Sequence, residues 1–332
     1  MTLRVGLIGA GWVTQHHLRG WQMLSDEAKV VAIADPSVEA AQRRADEFGI
    51  PARFIGASEM LAAGGLDAVD IAAPRQVHAD LARLAADHGL PILCQKPLAP
   101  TLAEAERLVA DIGERVRLMV HENWRFRAYY RQAASWLREG RIGAVKGAAL
   151  NLVTSGTVPD AQDRYYALDR QPFMRTETRM LVAEVLIHHL DTLRFLLGPL
   201  TVQAAALNMT CADMVGEDTA IIHLQTGYGA GVSVFATFAA HGAPTEQRDQ
   251  LTILGETGTI RLDGADLSIA GAYNEGIAFD QPEAYIGSYA ATIAHFVHCL
   301  RDGTPFETAP EDNLQTLRIV EDCYRLSGRA SG

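Results

Sequence analysis

The chain has 332 residues, 48% hydrophobic and 21% charged, which is too many for one ordinary core, about right for two domains, and excludes a disordered chain. Its formal net charge of -11 is offset by no basic tract, so nucleic acid and anionic membrane surfaces are not expected partners. No apolar run approaches the ~20 residues that span a bilayer, and Met1-Thr2-Leu3-Arg4 leads into a strand without a signal-peptide pattern, so a cytoplasmic location is expected.

Residues 3–9 form a short apolar strand that runs into Gly9-Ala10-Gly11-Trp12-Val13-Thr14, after which helical spacing begins. This is the strand, glycine turn and helix of a dinucleotide fingerprint. Gly9 permits the tight turn and Gly11 the close approach of a pyrophosphate, whose charge the N–H groups and dipole of the next helix stabilise. Gly9, Gly11, Trp12 and Val13 are therefore the expected cofactor contacts. Thr14 stands where the fingerprint has Gly or Ala, so looser packing of strand and helix is expected. A second strand, 30–34, ends in Asp35, 24 residues after Gly11. A carboxylate there accepts hydrogen bonds from the adenosine ribose hydroxyls and repels a 2′-phosphate, which favours NAD over NADP. The alternative for Asp35 is a helix N-cap or turn residue before Pro36. Arg43 and Arg44, on a helix over 37–48, are expected to face solvent.

A strand within 66–74 stops at Pro74, and Val77, Leu81, Leu84, Ala85 and His88 then fall on one helical face. His78 lies off that stripe and reads as a local hydrogen-bonding residue. The next strand, 91–93, leads into Leu93-Cys94-Gln95-Lys96-Pro97. Lys96 is thereby placed at the carboxyl edge of the sheet, where open α/β sheets bind ligands, on backbone stiffened by Pro97 and Pro100. Its ammonium can be held near a substrate hydroxyl and change protonation when desolvated; a solvated loop lysine is the plain alternative. A helix over 101–113 and a strand over 116–120 complete an alternation that predicts a doubly wound parallel sheet, a Rossmann domain, for residues 1–122. The four cysteines, Cys94, Cys211, Cys299 and Cys323, have no paired spacing and read as buried hydrophobes in a reducing compartment.

After His121-Glu122-Asn123-Trp124-Arg125-Phe126 the pattern changes. A helix over 127–139 is followed by strand-like runs at 146–154, 202–210, 217–226, 230–239, 249–261 and 266–270, which predict an α+β domain with a largely antiparallel open sheet for residues 123–332. Both alternating sets within 230–239 hold apolar residues, so one face is expected on helices and the other on a second subunit, making a homo-oligomer, dimer or tetramer. On a helical wheel for 181–197, Val182, Val185, Leu186, His189, Leu193 and Leu196 make one stripe and Glu184, His188 and Asp191 the opposite side. Glu184 beside His188 can orient the imidazole and suit it to proton transfer; a solvated face with an ion pair is the alternative. No spacing supplies further metal ligands, so no metal is expected. His189 reads as a core histidine, and His16, His17, His295 and His298 carry no clear signal. Helices at 283–302 and 311–328 close the chain and are long enough to pack on either domain.

Taken together, Gly9-Ala10-Gly11, Asp35-Pro36, Ala73-Pro74 with His78, Cys94-Gln95-Lys96-Pro97, Arg125-Phe126 and the Glu184 to Asp191 helix closed by Gly198 resemble, in order, the glucose-fructose oxidoreductase, inositol dehydrogenase and MocA family over nearly the whole chain. The family's usual Glu-Lys-Pro is Gln95-Lys96-Pro97 here, and its usual aspartate four residues before the histidine is Glu184. The resemblance implies that Lys96 is the catalytic lysine, His188 its partner acid or base, and Glu184 the carboxylate that orients the ring or binds a substrate hydroxyl. It further implies that Pro74, Gln95 and Lys96 lie against the cofactor, with Gln95 reaching the nicotinamide ribose, and that Asn123, Trp124 and Arg179 contact substrate. The activity implied is hydride transfer between NAD and a small sugar or polyol. The Gln-Lys-Pro variant with its Glu184 helix resembles members acting on pentoses or branched aldoses such as apiose. Relatives that turn over glycosides with only transient oxidation, or that sense without turnover, are the alternatives.

Overall fold

The computed structural model describes residues 2–329. The chain divides into two compact units, Met1–Phe126 with Tyr285–Leu317, and Arg127–Ala284 with Arg318–Gly332. In the first, β1 (Leu3–Ile8), α1 (Thr14–Met23), β2 (Ala28–Ala34), α2 (Val38–Phe48), β3 (Ala52–Phe54), α3 (Ala57–Ala63), β4 (Ala68–Ile71), α4 (His78–Asp87), β5 (Ile92–Gln95), α5 (Leu102–Ile112) and β6 (Leu118–His121) alternate. All six strands are parallel, in the order β3-β2-β1-β4-β5-β6. Strands β4, β5 and β6 are buried at every residue, as sheets covered on both faces are. Helices α2 and α5 start on good caps: the Ser37 hydroxyl accepts from Ala40 N, and Thr101 and Glu104 form a capping box. β3 and α3 were not among the expected elements, because a three-residue strand leaves too short a pattern to read. Helix α4 also departs from expectation. It buries His78, Ala82, Ala85 and Ala86, while Val77 and His88 are exposed; small residues face the sheet where bulk does not fit.

The second unit holds α6 (Ala128–Arg138), β7 (Val145–Val153), α7 (Tyr166–Arg170), a π-helical segment Leu181–Leu186 that continues as α8 (Ile187–Leu197), β8 (Leu200–Asn208), β9 (Thr219–Thr226), β10 (Gly231–Thr237), β11 (Asp249–Gly255), β12 (Gly258–Asp263), β13 (Asp266–Gly271) and β14 (Glu275–Ala278). Its eight-stranded sheet runs β14-β13-β12-β11-β7-β10-β9-β8, antiparallel except for the β7–β10 pair. The run expected as one strand over 249–261 is two, turned at Gly255 to Gly258 so that Gln250 pairs with Asp263. Leu150, Leu152, Ile222, Leu224, Val232, Val234, Leu251 and Ile253 point to one face and form its core. The closing helices are α9 (Gln281–Asp302) and α10 (Pro310–Leu326). Most of α9 belongs to the first unit, where Ile293, Phe296 and Val297 pack with Val5, Trp21 and Leu93. Among the described residues no helix is long and apolar enough to cross a membrane.

Candidate active site

The carboxyl ends of the parallel strands bring together most of the residues singled out in the first unit. β1 runs into Gly9, which has a φ of +107° and lies against the Ala72 carbonyl. Thr14, at the third fingerprint position, is fully buried, and its hydroxyl donates to the Gly9 carbonyl at 3.1 Å. The expected loosening there is thus offset by a hydrogen bond that Ala could not make. Asp35, at the end of β2, accepts from Ala10 N through Oδ2 at 2.7 Å and from Ser37 N through Oδ1 at 2.8 Å. It therefore ties the glycine turn to the second strand and also serves the turn before α2. Arg44, expected in solvent, instead donates to the Gly11 carbonyl at 3.2 Å and pairs with Glu47 at 2.8 Å, because its side chain lies back from α2 toward the turn. Arg43 is exposed. Trp12 is half exposed and edge-on to His16. Burial, with Arg19, His17 and Arg44 nearby, pushes the His16 imidazole down to about 4.

His78 is buried and not off the inward face. Its Nδ1 lies 2.8 Å from the Pro97 carbonyl and its Nε2 2.8 Å from the Ala73 carbonyl, so one ring joins the Pro74 turn to the lysine turn. Lys96 itself is half-buried, and the Lys96–Pro97 peptide is cis. Beneath it runs a buried polar network that sequence reasoning missed. Asp70, in the middle of β4, accepts from Trp21 Nε1 at 2.7 Å and from His17 Nδ1 at 2.8 Å. His17 Nε2 is 3.1 Å from Gln95 Nε2, and Gln95 Oε1 accepts from Lys96 N at 2.7 Å. An aspartate inside an otherwise apolar strand was the available signal. The neighbouring thiol of Cys94 is pushed well up by burial and by Asp70, which removes it as a nucleophile. Beyond β6, Asn123 is buried and donates to Ser288 Oγ at 2.7 Å, and Trp124 is edge-on to Tyr285.

The second unit carries Arg179, Glu184 and His188 on one segment. The helix expected to be regular over 181–197 opens as a π-helix and is buried nearly all round. His188 and Asp191 are buried and Val185 and Leu196 only half so, which overturns both the single apolar stripe and the solvated-face alternative. The wider π turn displaces side chains from the 3.6-residue wheel. Glu217, fully buried, accepts from Val182 N at 3.0 Å and from Tyr324 Oη, holding the start of that segment. Arg179 pairs with Glu321 at 2.9 Å and lies over the Tyr324 ring. His189 faces the core, with Nε2 2.9 Å from Asp249 Oδ1. Among the described residues no group of three or more His, Cys, Asp or Glu side chains is placed to hold a metal ion.

A glycine turn and an acid at the end of the second strand, on a six-stranded parallel sheet, define a dinucleotide-binding Rossmann domain. The chain belongs to the GFO_IDH_MocA oxidoreductase family: residues 3–122 match its NAD-binding Rossmann fold and residues 135–328 its C-terminal alpha/beta domain. It is 33% identical to the D-apiose dehydrogenase of Paraburkholderia graminis, over 97% of this chain and 87% of that one. It is 29% identical to the inositol 2-dehydrogenase of Rhizobium meliloti, over 98% of this chain and 97% of that one. The crystal structure of an oxidoreductase from Agrobacterium radiobacter, in complex with NAD+, L-tartaric acid and magnesium, superposes with a TM-score of 0.87 at 29% identity, covering 99% of this chain and 97% of that one.

Proposed function

We propose that the protein is an NAD-dependent dehydrogenase that oxidises a hydroxyl of a small sugar or polyol, with a branched aldose such as D-apiose the first substrate to try. The observation that carries this is the gathering of the glycine turn, Asp35 and Lys96 at the carboxyl edge of one parallel sheet, in a chain similar along nearly its whole length to sugar and polyol dehydrogenases. The turn suits a dinucleotide, because a Cβ at Gly11 would meet no protein atom within 4 Å, so internal packing does not account for glycine there. NAD, when bound, supplies the hydride acceptor. Gly9, Gly11, Trp12, Val13, Pro74 and Gln95 hold it, and Asp35 takes the ribose hydroxyls and disfavours a 2′-phosphate. Arg44 is tied to Gly11 and Glu47, which also favours NAD over NADP. Lys96 takes the substrate hydroxyl proton, His188 acts as partner acid or base, and Glu184 orients that ring or holds a hydroxyl. Asn123, Trp124 and Arg179 contact substrate. We place the protein in the cytoplasm, on its four unpaired, buried cysteines. We infer a homo-oligomer, dimer or tetramer, through the outer face of the eight-stranded sheet.

The test is absorbance at the NADH band with NAD and then NADP against D-apiose, other aldoses and inositols. Steady reduction with one compound class is expected, falling at least about a hundredfold in Lys96→Met and His188→Ala, with NAD affinity kept in His188→Ala. Turnover of Lys96→Met within a few fold of the parent would remove its assigned role, and a lower KM for NADP would overturn the cofactor assignment. Silence across the panel with NAD bound would favour a glycoside-cleaving or sensing relative, and aryl glycosides decide between those two.

A further inference from the structure

We propose that His17 is a positioning residue for the Lys96 turn: it holds the Gln95 amide in one orientation, and this is why position 95 requires an amide and not a carboxylate. The inference rests on the reading of Lys96 given above. Its basis is a chain of hydrogen bonds whose two ends can act in only one way. Trp21 Nε1–H is a donor without acceptor capacity, and so is the backbone N–H of Lys96. Between them stand Asp70, His17 and Gln95, with Asp70 and His17 fully buried. Asp70 accepts from Trp21 and from His17 Nδ1–H. A singly protonated ring then offers a lone pair at Nε2, which the Gln95 amide N–H fills. The Gln95 oxygen is left to accept from Lys96 N. Every bond is made with each group in its natural role and the ring carrying one proton.

A glutamate at 95 would set an oxygen lone pair against the Nε2 lone pair of His17, and the network could close only with a second proton on the ring. Around that ring stand Asp70 from β4, the His121 ring stacked at 4.1 Å from β6, Tyr289 at 5.5 Å from α9, and neighbouring His16 on α1. Asp70 is the anion hydrogen-bonded to this ring, and its carboxylate already serves Trp21. Gln95 is the last residue of β5 and Lys96 the first of the turn, so the Gln95 to Lys96 bond sets the direction in which the chain leaves the sheet. His17 thereby acts on Lys96 through Gln95 from a helix that otherwise serves the glycine turn.

Two variants separate this from a merely structural role. In His17→Asn the side-chain amide can replace Nδ1–H toward Asp70 but is too short to reach Gln95. It is expected to fold as the parent does while kcat falls roughly ten- to a hundredfold through misplacement of Lys96. Gln95→Glu is expected to add to the pH profile of kcat/KM an inflection that the parent lacks, activity falling as pH rises and the ring loses its second proton, and His17→Asn in that background should remove it. Imidazole nitrogen NMR reads the same network without turnover: His17 should carry its proton on Nδ1 alone in the parent and retain a second proton to higher pH in Gln95→Glu. An unchanged kcat in folded His17→Asn, no new inflection in Gln95→Glu, or a proton on Nε2 in the parent would each overturn the inference. If His17→Asn fails to fold, the Gln95→Glu profile and the NMR decide. A parent that reduces no NAD would sink the dehydrogenase reading and leave the NMR to judge the network.

Discussion

A Cβ at Gly9 would lie 2.5 Å from the Ala72 carbonyl oxygen on a backbone with φ +107°, whereas at Gly11 it would meet no protein atom. The fold therefore demands only the first of these two glycines, and the second is the one we propose a ligand demands. Gly9→Ala is expected to lower stability by about 1–3 kcal/mol, the usual cost of forcing a side chain into such backbone. Gly11→Ala should melt within a degree or two of the parent, as substitutions in open space do, yet bind NAD roughly tenfold more weakly by keeping the phosphates off the turn. Thermal unfolding together with an NAD titration followed by tryptophan fluorescence checks both. A Gly11→Ala protein that binds as the parent does would remove the ligand argument. Residues of this kind were legible because their neighbours in sequence define them: Gly9 ends an apolar strand, Asp35 ends the next, and Lys96 precedes a proline. His17 and Asp70 were not, because they lie 53 positions apart and only the sheet brings them together. Gln95 stood out in the sequence beside Lys96, but its inward partners did not.

Asp249 opens β11 and joins three elements at once. Its carboxylate accepts from Tyr130 of α6 at 2.8 Å and lies 2.9 Å from His189 Nε2 of α8, with Arg127 at 3.8 Å. Burial alone would raise its pKa, but the charge and hydrogen bond of His189, with Arg127 and Tyr130, outweigh that and hold the carboxyl well below its usual range. Because the folded-state value is depressed, the stabilisation is fully present above the ordinary carboxylate range and lost as pH falls through the folded value. Asp249→Asn should therefore cost about 3–5 kcal/mol near neutral pH, as breaking a buried charge cluster does. In denaturant unfolding, the gap between parent and variant should hold from neutral pH to about 5 and close only in stronger acid, below the ordinary carboxylate range. A gap that closes already at pH 6, well above the carboxylate range, would mean that the Asp249 carboxylate does not hold the cluster. Helix α8, which this cluster anchors, shows where reading elements from sequence stopped. A wheel at 3.6 residues per turn placed His189 in the core, but the π segment before it changes the angular step, and no local residue preference announces such a segment. Short or polar strands such as β3 and β14 escaped for a related reason, since three or four residues cannot display a period.

At the scale of the whole molecule, the order of parallel and antiparallel sheets was legible because hydrophobic runs separated by helices differ plainly from runs separated by glycine turns. The use of the second sheet's outer face was legible only as an expectation that it is covered. On that face Ala206, Ile221, Phe235, Asn151 and Gln250 stand opposite one another across five strands, with Ala204, His223, Ser233, Ala149 and Thr252 in the next row. Ile221 and Phe235 are exposed at 42% and 39%, and across these five strands neither row carries a carboxylate or an ammonium, charge returning only on β12, where Asp263 and Arg261 continue the two rows. An uncharged five-stranded patch pairs best with its own copy about a twofold axis, since the same patch then fills itself. Light scattering should give a mass that is a multiple of 36.0 kDa, the mass of one chain. Phe235→Glu with Ile221→Lys should lower that mass toward one chain, because each copy would bury two new charges in an apolar contact, while NAD binding at the first unit's glycine turn persists. The charges are of opposite sign within one chain, so loss of assembly would reflect desolvation and not a gain in net charge. A parent that runs as a monomer at tens of micromolar would instead assign the face to a different protein, and an assembly that survives both substitutions would place the contact elsewhere on the chain.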